Sequence, residues 1–579
     1  MSAHKHKPGA RSRRVIPLYL VTLCLAVALE VLNLAFLGPF AAPAAQTNAG
    51  ALASPYPYTD VNPYGANAFL SKEVEDWKRE KTVQMMADAG LGWIKQQFSW
   101  TEIEPKQGRY WDDKYNQNSW DKYDKIVGLA EKYGLRVIAR LDDAPAWAGG
   151  TPGTDVHTPP TDPETFADFA ATFVQHYQGR VQYLQIWNEP NLKSEWGGKI
   201  DAAAYARLLC LTYQRTKAVD PNVVILTAPL AQTLETGDRG LDELDYLQQL
   251  YDDGIRGCYD ILLANGYGFD QPPDAAPSPQ TLNFRRVELV RQVMERNGEA
   301  AKPVWLNEYG WDAPPADFPP DKLFWSRVTP DQQARYTVDG IQYARQHWPW
   351  VGVINIWYFR QVGDIPPDDA SFYFRMVDVE FSPQPVYRAV QRATAAQRLA
   401  QPGRYGVLDP AVGSRGQWAT LTDEQAGALA IRSDHPGDQL TIHFHGNQLA
   451  LTAERGPQGG RLQVVIDNSP TAAAQLPRDD RGRRYVDLRA ASRDVTTIPV
   501  VSGLDGIGPP QDHTAVLTVL PAADGKSAGQ VTITGVEVSY VRSTLPFALF
   551  SAVVGLVVLI VAALIVRAIR RLRRGPAGG

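Results

Sequence analysis

Two glutamates each stand at the end of a short apolar run that has the pattern of a β-strand. Glu189 closes the run LQIWNEPN, and Glu308 closes the run VWLNEYGW. Cleavage of a glycosidic bond needs two carboxyl groups, one to protonate the leaving oxygen and one to attack or to activate water. Asn188 directly precedes Glu189, so its amide can hold a sugar hydroxyl beside the reacting carbon. The pair therefore predicts acid–base chemistry on a sugar.

The elements that must position this pair lie in residues 61–397, where apolar runs alternate with amphipathic helical patterns. The eight runs are NPYGANAF, WIKQQFSW, LRVIARLD, VQYLQIWN, VVILTAPL, DILLANGY, PVWLNEYG and VGVINIWYF. Such alternation predicts parallel strands joined by right-handed crossovers, and at this length a closed (β/α)8 TIM barrel fits best. Active sites of this α/β fold lie at the carboxyl ends of the strands, where both glutamates stand.

The composition argues against several classes of partner. The net charge is -5, with no basic face outside the two ends, so we predict no nucleic-acid partner. No Gly-x-Gly-x-x-Gly follows any of the runs, which argues against a nucleotide cofactor. The histidines are scattered, and we predict neither a metal site nor any other cofactor. The expected partners are an oligo- or polysaccharide substrate and, from the chain ends, a lipid bilayer.

The character of the chain changes after a linker at residues 398–404. From 405 to 541 short β-type runs such as LTIHFHG and QVTITGVEVSY are separated by Gly, Pro and Asp turns, with no long helical pattern. This pattern predicts an all-β sandwich. Its role is left open between glycan binding and a rigid spacer.

Both chain ends carry membrane signals. A basic tail at residues 1–14 precedes an apolar stretch at 15–40, which we interpret as a transmembrane anchor or a signal peptide cleaved near Ala44; residues 41–60 form a linker. The run 545–566 has no charge and is followed by an arginine-rich tail at 567–579. A transmembrane helix at each end with both termini cytoplasmic follows from the positive-inside rule.

Cysteine is scarce in the chain. Cys24 lies in the first apolar stretch, and Cys210 and Cys258 lie in the part predicted to be exported. Because Cys210 falls inside an amphipathic helix pattern, we interpret these two residues as buried thiols. A disulfide between them, which an oxidising compartment permits, is the alternative.

Several phrases in residues 61–396 resemble a known group of enzymes. FSWTEIEPKQGRYW, WDKYDKIVGLAEKYGLRVIARLDDAPAWA and QIWNEPN are similar to the clan of retaining glycosidases with an Asn-Glu-Pro acid/base motif, most of all glycoside hydrolase family thirty-nine. The resemblance implies that Glu189 is the acid/base and Glu308 the nucleophile. It also implies that Tyr267 hydrogen-bonds the nucleophile and that Trp357 forms the floor of the reacting subsite. The alternative for these two aromatic residues is a place in the core.

The chain departs from that family at two positions. Asn265 stands where the family usually has His, and Lys95 stands where related enzymes often have Arg. Both departures bear on which sugar the site accepts, and Asn265 remains a candidate for substrate binding. The domain at 405–541 resembles the galactose-binding-like jelly rolls that are appended to sugar enzymes.

Further candidates for substrate binding lie near the strand ends. Trp147 and Trp311, together with Trp100, are either platforms for sugar rings or packing residues. Asp142, with Asp143 beside it, either binds hydroxyl groups or caps the turn before Ala144.

These observations predict a membrane-anchored extracytoplasmic glycoside hydrolase that cleaves a cell-surface or exported polysaccharide with retention of configuration. The alternatives are a transglycosidase, in which a sugar hydroxyl replaces water, and a catalytically silent carbohydrate-binding surface protein. The presence of both carboxyl groups argues against the silent protein.

Overall fold

The computed structural model describes residues 10–36, 56–423, 428–469, 472–473, 475–505, 509–522, 528–541 and 545–573. Residues 56–423 contain eight parallel strands of one sheet. They are β1 Tyr64–Ala68, β2 Trp93–Ser99, β3 Arg136–Asp142, β4 Tyr183–Ile186, β5 Val224–Leu226, β6 Leu262–Tyr267, β7 Val304–Gly310 and β8 Val351–Ile356. Their order in the sheet is β5-β4-β3-β2-β1-β8-β7-β6. A parallel bridge between Leu226 and Ile261 joins the two edge strands, so the sheet closes into the predicted barrel.

Helices follow the strands and cover the outside of the barrel. Their bounds are α2 Asp76–Asp88, α3 Asp121–Tyr133, α4 Pro163–His176, α5 Ala202–Val219, α6 Glu243–Asp252, α7 Val287–Arg296, α8 Pro330–His347 and α9 Pro385–Gln397. A separate helix, α1 (Ala10–Phe36), precedes the barrel. Local signals set several of the starts. At α8, Thr329 and Gln332 form a capping box and Pro330 occupies the first turn, where its missing N–H costs nothing.

The inside of the barrel is apolar at one end and polar at the other. Alternate strand residues point inward. The rings of Trp93, Tyr183 and Trp305 pack against one another near the amino ends of their strands, with ring centroids 4.9–5.2 Å apart. Two residues further along their strands, Lys95 and Asn265 follow the buried residues Trp93 and Leu263 on the same inward face. The polar layer thus lies toward the carboxyl ends.

Two six-stranded sheets follow the barrel. Their strands are β9 Leu399–Ala400, β10 Gly403–Gly406, β11 Val412–Arg415, β12 Ala419–Asp423, β13 Ala428–Ser433, β14 Gln439–His445, β15 Gln448–Arg455, β16 Arg461–Ile466, β17 Tyr485–Asp487, β18 Asp494–Ser502, β19 Asp512–Val519 and β20 Val531–Ser539. One sheet has the order β9-β14-β19-β16-β17 with β11 beside β14, and the other β12-β13-β20-β15-β18 with β10 beside β20. Alternating burial along β14, β15 and β16 is typical of sheets that share one core, so the predicted sandwich is confirmed.

The sandwich covers the amino-terminal end of the barrel. The inward residues at that end, including Trp93, Tyr183 and Trp305, belong to the same apolar cluster as the sandwich core residues Leu440 and Ile442. The backbone N–H of Asn62, just before β1, donates to the carbonyl oxygen of Leu408 at 2.6 Å. The carboxyl ends of the barrel strands therefore face away from the sandwich.

The two terminal helices differ in whether they are long and apolar enough to span a membrane. Within the described residues, only Ala548–Arg570, inside α10 (Leu545–Arg573), is long and apolar enough to cross a bilayer, as judged by length and composition. The apolar part of α1 is the shorter stretch Tyr19–Leu32, and it lies against α10. The prediction of a spanning helix at each end is thus supported at the C-terminal end only. The residues of the predicted cleavage site near Ala44 lie outside the described part of the chain.

The interpretation of Cys210 and Cys258 as thiols is wrong. The two residues form a disulfide, with their Cα atoms 4.7 Å apart. The bond joins α5 to the segment after α6, two elements that are 48 residues apart in sequence. The helical pattern around Cys210 correctly placed it on a helix but carried no information about which residue faces it.

Candidate active site

Glu189 lies at the carboxyl end of β4, in a backbone conformation that side-chain-bearing residues seldom adopt. Its φ is 41°, and its backbone N–H donates to the carbonyl oxygen of Pro229 at 3.1 Å. Oε1 of Glu189 accepts a hydrogen bond from Nδ2 of Asn265 at 2.6 Å. Non-glycine residues held at positive φ cluster at functional sites because the surrounding structure must compensate their strain.

Glu308 is buried on β7 and meets three donors. The hydroxyl of Tyr267 donates to Oε2 at 2.7 Å, and Nζ of Lys95 lies 3.3 Å from Oε1. Nδ2 of Asn307 lies 3.4 Å from the same Oε1. Donors to both carboxylate oxygens fix the orientation of this side chain.

One strand contacts both glutamates. Asn265 and Tyr267 are two residues apart on β6, so their side chains point to the same face. Asn265 contacts Glu189, which follows β4, and Tyr267 contacts Glu308 on the neighbouring strand β7. The barrel therefore brings together two carboxyl groups that are far apart in sequence and gives each its own hydrogen-bonding partner.

The surroundings of Glu189 favour the protonated form of its carboxyl group. Burial, with the nearby charge of Glu308 as the second cause, raises the pKa of Glu189 well above its usual range. Burial lowers the pKa of Lys95 to about 8, although the attraction of Glu308 opposes the shift. A carboxyl group that stays protonated can donate a proton, and differing environments are how proteins give the two members of a carboxyl pair different roles.

Both carboxylate oxygens of Asp142 accept hydrogen bonds from neighbouring side chains. Its Oδ1 accepts a hydrogen bond from Nε2 of Gln97 at 2.8 Å, and its Oδ2 accepts one from Nε of Arg140. Its side chain thus positions the Arg140 guanidinium beside the glutamate pair. The neighbouring Asp143 accepts a hydrogen bond from Oγ of Ser99 at 2.5 Å.

Asn188 is buried next to Glu189. Its Oδ1 accepts a hydrogen bond from Nε2 of Gln185 at 3.3 Å. That contact orients the side-chain amide of Asn188 beside Glu189.

The tryptophans suggested by the sequence differ in their surroundings. Trp311 is 1% exposed, its indole N–H donates to the carbonyl oxygen of Gln271, and a Cβ on Gly268 would fall 1.9 Å from its ring. Trp311 therefore has no ring face open to a sugar, which corrects its assignment to substrate binding. Trp100 is likewise fully buried. Trp147 is half-buried, and its indole N–H donates to the carbonyl oxygen of Glu104.

Trp357 is half-buried directly after β8. Its ring meets that of Phe69 edge-to-face with centroids 5.9 Å apart. The same aromatic cluster contains Tyr267 and Trp325. Sequence reasoning missed Trp325, although the signal was available, because the dipeptide Phe324-Trp325 stands in the loop that follows the strand of Glu308.

Arg140 and Glu195 were also missed. Both are among the charged groups that act on the pair: Arg140 opposes the upward shift in the pKa of Glu189, and Glu195 adds to it. Burial raises the pKa of Glu195 itself. Within the described residues, no group of three or more His, Cys, Asp or Glu side chains is arranged to hold a metal ion.

Part of the barrel matches a known protein family. The family model described as cellulase (glycosyl hydrolase family 5) matches residues 56–232, which include Glu189. No curated protein matches the chain. The family match and the paired carboxyl groups together indicate a glycosidase, and they agree with the resemblance to the clan of barrel glycosidases.

Solved structures of several glycosidases are similar in shape. A family 39 glycoside hydrolase from Bacteroides cellulosilyticus WH2 is 17% identical, with a TM-score of 0.45, over 80% of this chain and 81% of that one. The GH39 enzyme from Xanthomonas axonopodis pv. citri is 16% identical, with a TM-score of 0.43, over 81% and 95%. An alpha-L-arabinofuranosidase from Thermotoga maritima is 12% identical, with a TM-score of 0.40, over 80% and 97%. These values are too low to transfer any substrate to this chain.

Proposed function

We propose that the protein is a membrane-anchored glycoside hydrolase that cleaves O-glycosidic bonds of a cell-surface or exported polysaccharide with retention of configuration. The observation that carries the proposal is that the two carboxyl groups have different hydrogen-bonding partners. Glu189 is held by the neutral amide of Asn265, with a raised pKa, whereas Glu308 is held by Tyr267 and Lys95. A proton donor beside an anionic nucleophile is what the first step of a retaining reaction requires.

In the first proposed step, a carboxylate oxygen of Glu308 forms a bond to the anomeric carbon. The glycosidic C–O bond breaks as Glu189 transfers its proton to the departing oxygen. In the second step, Glu189 removes a proton from water, whose oxygen bonds to the anomeric carbon while the ester bond to Glu308 breaks. Two inversions give net retention, and both carboxyl groups return to their starting states.

The neighbouring residues take supporting roles in this proposal. Tyr267 and Lys95 orient Glu308, and Asn265 orients Glu189. Asn188, Trp357 and Trp147 contact the sugar, and Asp142 acts through Arg140.

The proposed location rests on two features. The helix α10 contains a segment long and apolar enough to span a bilayer, and arginines follow that segment, which favours a cytoplasmic C-terminus. The disulfide between Cys210 and Cys258 fits an oxidising compartment outside the cytoplasm. The N-terminal segment is proposed as a second anchor or a cleaved signal. Because the sandwich lies between the barrel and α10 and faces away from the glutamates, we assign it the role of a spacer.

The proposal is tested with the full chain in detergent. It is incubated with 4-nitrophenyl glycosides of the common hexoses and pentoses in both anomeric forms, and with surface polysaccharides. Proton NMR of the first product should show the anomer of the substrate. An inverted first product would disprove retention, and the absence of cleavage across the panel would disprove hydrolysis. Sugars transferred to other sugars instead of water would identify a transglycosidase.

A further inference from the structure

Two neighbouring aromatic residues on the loop between β7 and α8 are not fully buried. Phe324 is 72% exposed, and Trp325 beside it is half-buried. Their ring centroids are 4.8 Å apart at an interplanar angle of 72°. Large aromatic groups left open to water beside a polar site are typical of ligand-binding surfaces. We call this pair the Phe324–Trp325 ledge.

The ledge is continuous with the glutamate pair. The ring of Trp325 lies 6.3 Å from that of Tyr267 and 5.6 Å from that of Phe374. Tyr267 in turn donates a hydrogen bond to Glu308. One aromatic ring therefore separates the ledge from the proposed nucleophile.

Hydrogen bonds at its base hold the loop that carries the ledge. The backbone N–H of Val328 donates to the carbonyl oxygen of Asp312 at 2.9 Å, and Nη1 of Arg327 donates to the carbonyl oxygens of Pro315 and Ala316. The N–H of Ser326 donates to the carbonyl oxygen of Leu323. A platform fixed before its ligand arrives loses little conformational entropy on binding.

We propose that the Phe324–Trp325 ledge binds a second sugar unit of the substrate chain, next to the unit held at Glu189 and Glu308. This inference rests on the proposed function and deepens it, since it assigns the residues that bind a second unit of the proposed polysaccharide. The apolar C–H face of a pyranose ring fits an open aromatic face, while its hydroxyl groups stay in water at the rim.

The test compares short and long substrates in the full-length enzyme. Trp325→Ala and Phe324→Ala should each lower kcat/KM for oligosaccharides of two to six units by about tenfold or more, the size of a good aromatic contact. Hydrolysis of the corresponding glycosyl fluoride should change by less than about threefold, because its leaving group is a single atom and does not reach the ledge. Val219→Ala, which alters an exposed apolar side chain at the end of α5, serves as the control and should change neither. Calorimetric titration of the same oligosaccharides gives a readout independent of turnover.

The outcomes separate the two proposals. An equal loss on short and long substrates in Trp325→Ala, with Phe324→Ala unchanged, would show that Trp325 merely packs against Tyr267 and would overturn the ledge. Normal kinetics and binding in both variants would overturn it as well. A wild-type protein that binds oligosaccharides through the ledge but cleaves no glycoside would disprove the proposed hydrolysis and leave this inference standing. A wild type that neither binds nor cleaves would overturn both.

Discussion

Nδ2 of Asn265 donates a hydrogen bond to Oε1 of Glu189 at 2.6 Å, across the top of the barrel from β6 to the end of β4. The contact holds the carboxyl group that we propose as the acid. Its donor is a neutral amide, at the position where the glycosidase family that this chain resembles usually has histidine. Unlike an imidazole, the amide does not gain a charge as the pH falls. The protonation of Glu189 is therefore coupled to one titrating neighbour fewer than it would be with histidine at position 265.

Removing this amide should weaken acid catalysis selectively. Asn265→Ala should lower kcat/KM by about tenfold to a hundredfold on a phenyl glycoside, in line with the loss of a hydrogen bond to a carboxyl group. A 2,4-dinitrophenyl glycoside should be affected much less, because its leaving group departs without a proton. Steady-state kinetics on the two substrates measure the difference. Equal losses on both would mean that Asn265 contacts the sugar and does not act on Glu189.

Substituting the two glutamates should give opposite patterns. Glu189→Ala should lose about 10²–10⁴-fold on poor leaving groups. On a 2,4-dinitrophenyl glycoside, azide should attack the glycosyl-enzyme in place of water and give a product of retained configuration. Glu308→Ala should lose activity on all substrates and give an azide product of inverted configuration. NMR of the azide products distinguishes the two cases. An exchange of these patterns would reverse the assignment of acid and nucleophile.

Lys95 should set an alkaline limit on activity. Its pKa is lowered to about 8, and Glu308, Arg140 and Glu189 are the charged groups that act on it. As the pH rises through this value the ammonium loses its proton, and Glu308 loses a charged donor. For a 2,4-dinitrophenyl glycoside, which does not need the proton of Glu189, kcat/KM should therefore fall above about pH 8.

The matched variants isolate the lysine. Lys95→Arg keeps its charge at all accessible pH values, so the alkaline fall should disappear from its profile even if the overall rate is lower. Lys302→Arg is the control, because Lys302 donates to the carbonyl oxygen of Tyr259, away from the glutamate pair. An alkaline fall that persists in Lys95→Arg would assign it to another group.

The disulfide should contribute measurably to stability. Cys210→Ala combined with Cys258→Ala opens a loop of 48 residues, for which chain entropy predicts a loss of up to about 4 kcal/mol in the free energy of unfolding. Urea unfolding followed by tryptophan fluorescence measures the shift. Cys24→Ala, which changes the free cysteine, should leave the midpoint unchanged. A double variant with the midpoint of the wild type would show that the bond does not stabilise the folded chain.

The membrane topology can be tested on intact cells. Protease added from outside should remove the barrel yet leave a tag placed after Gly579 protected, because moving the arginines at the end of α10 across the bilayer is costly. The same tag should become accessible after the membrane is permeabilised. Digestion of the tag in intact cells, or free release of the full-length protein into the medium, would contradict the anchored arrangement.

Local sequence was sufficient for the framework of this protein. Runs of apolar residues separated by helical patterns predicted all eight barrel strands, and they placed Glu189 and Glu308 toward the carboxyl ends of their strands. The uncharged run before the C-terminal arginines predicted the apolar part of α10. These features depend on periodicity and length, which a chain carries within short windows.

The tertiary structure alone decided which side chains are free to act. Trp311 and Trp325 both follow the strand of Glu308, yet one is enclosed by Gly268 and its neighbours while the other stands beside the site. Cys210 finds Cys258 only because α5 packs near the segment after α6. Pairings of this kind depend on contacts between residues distant in sequence and on the paths of loops. No local pattern encodes these, because the period of an element specifies which face a residue is on but not what will cover that face.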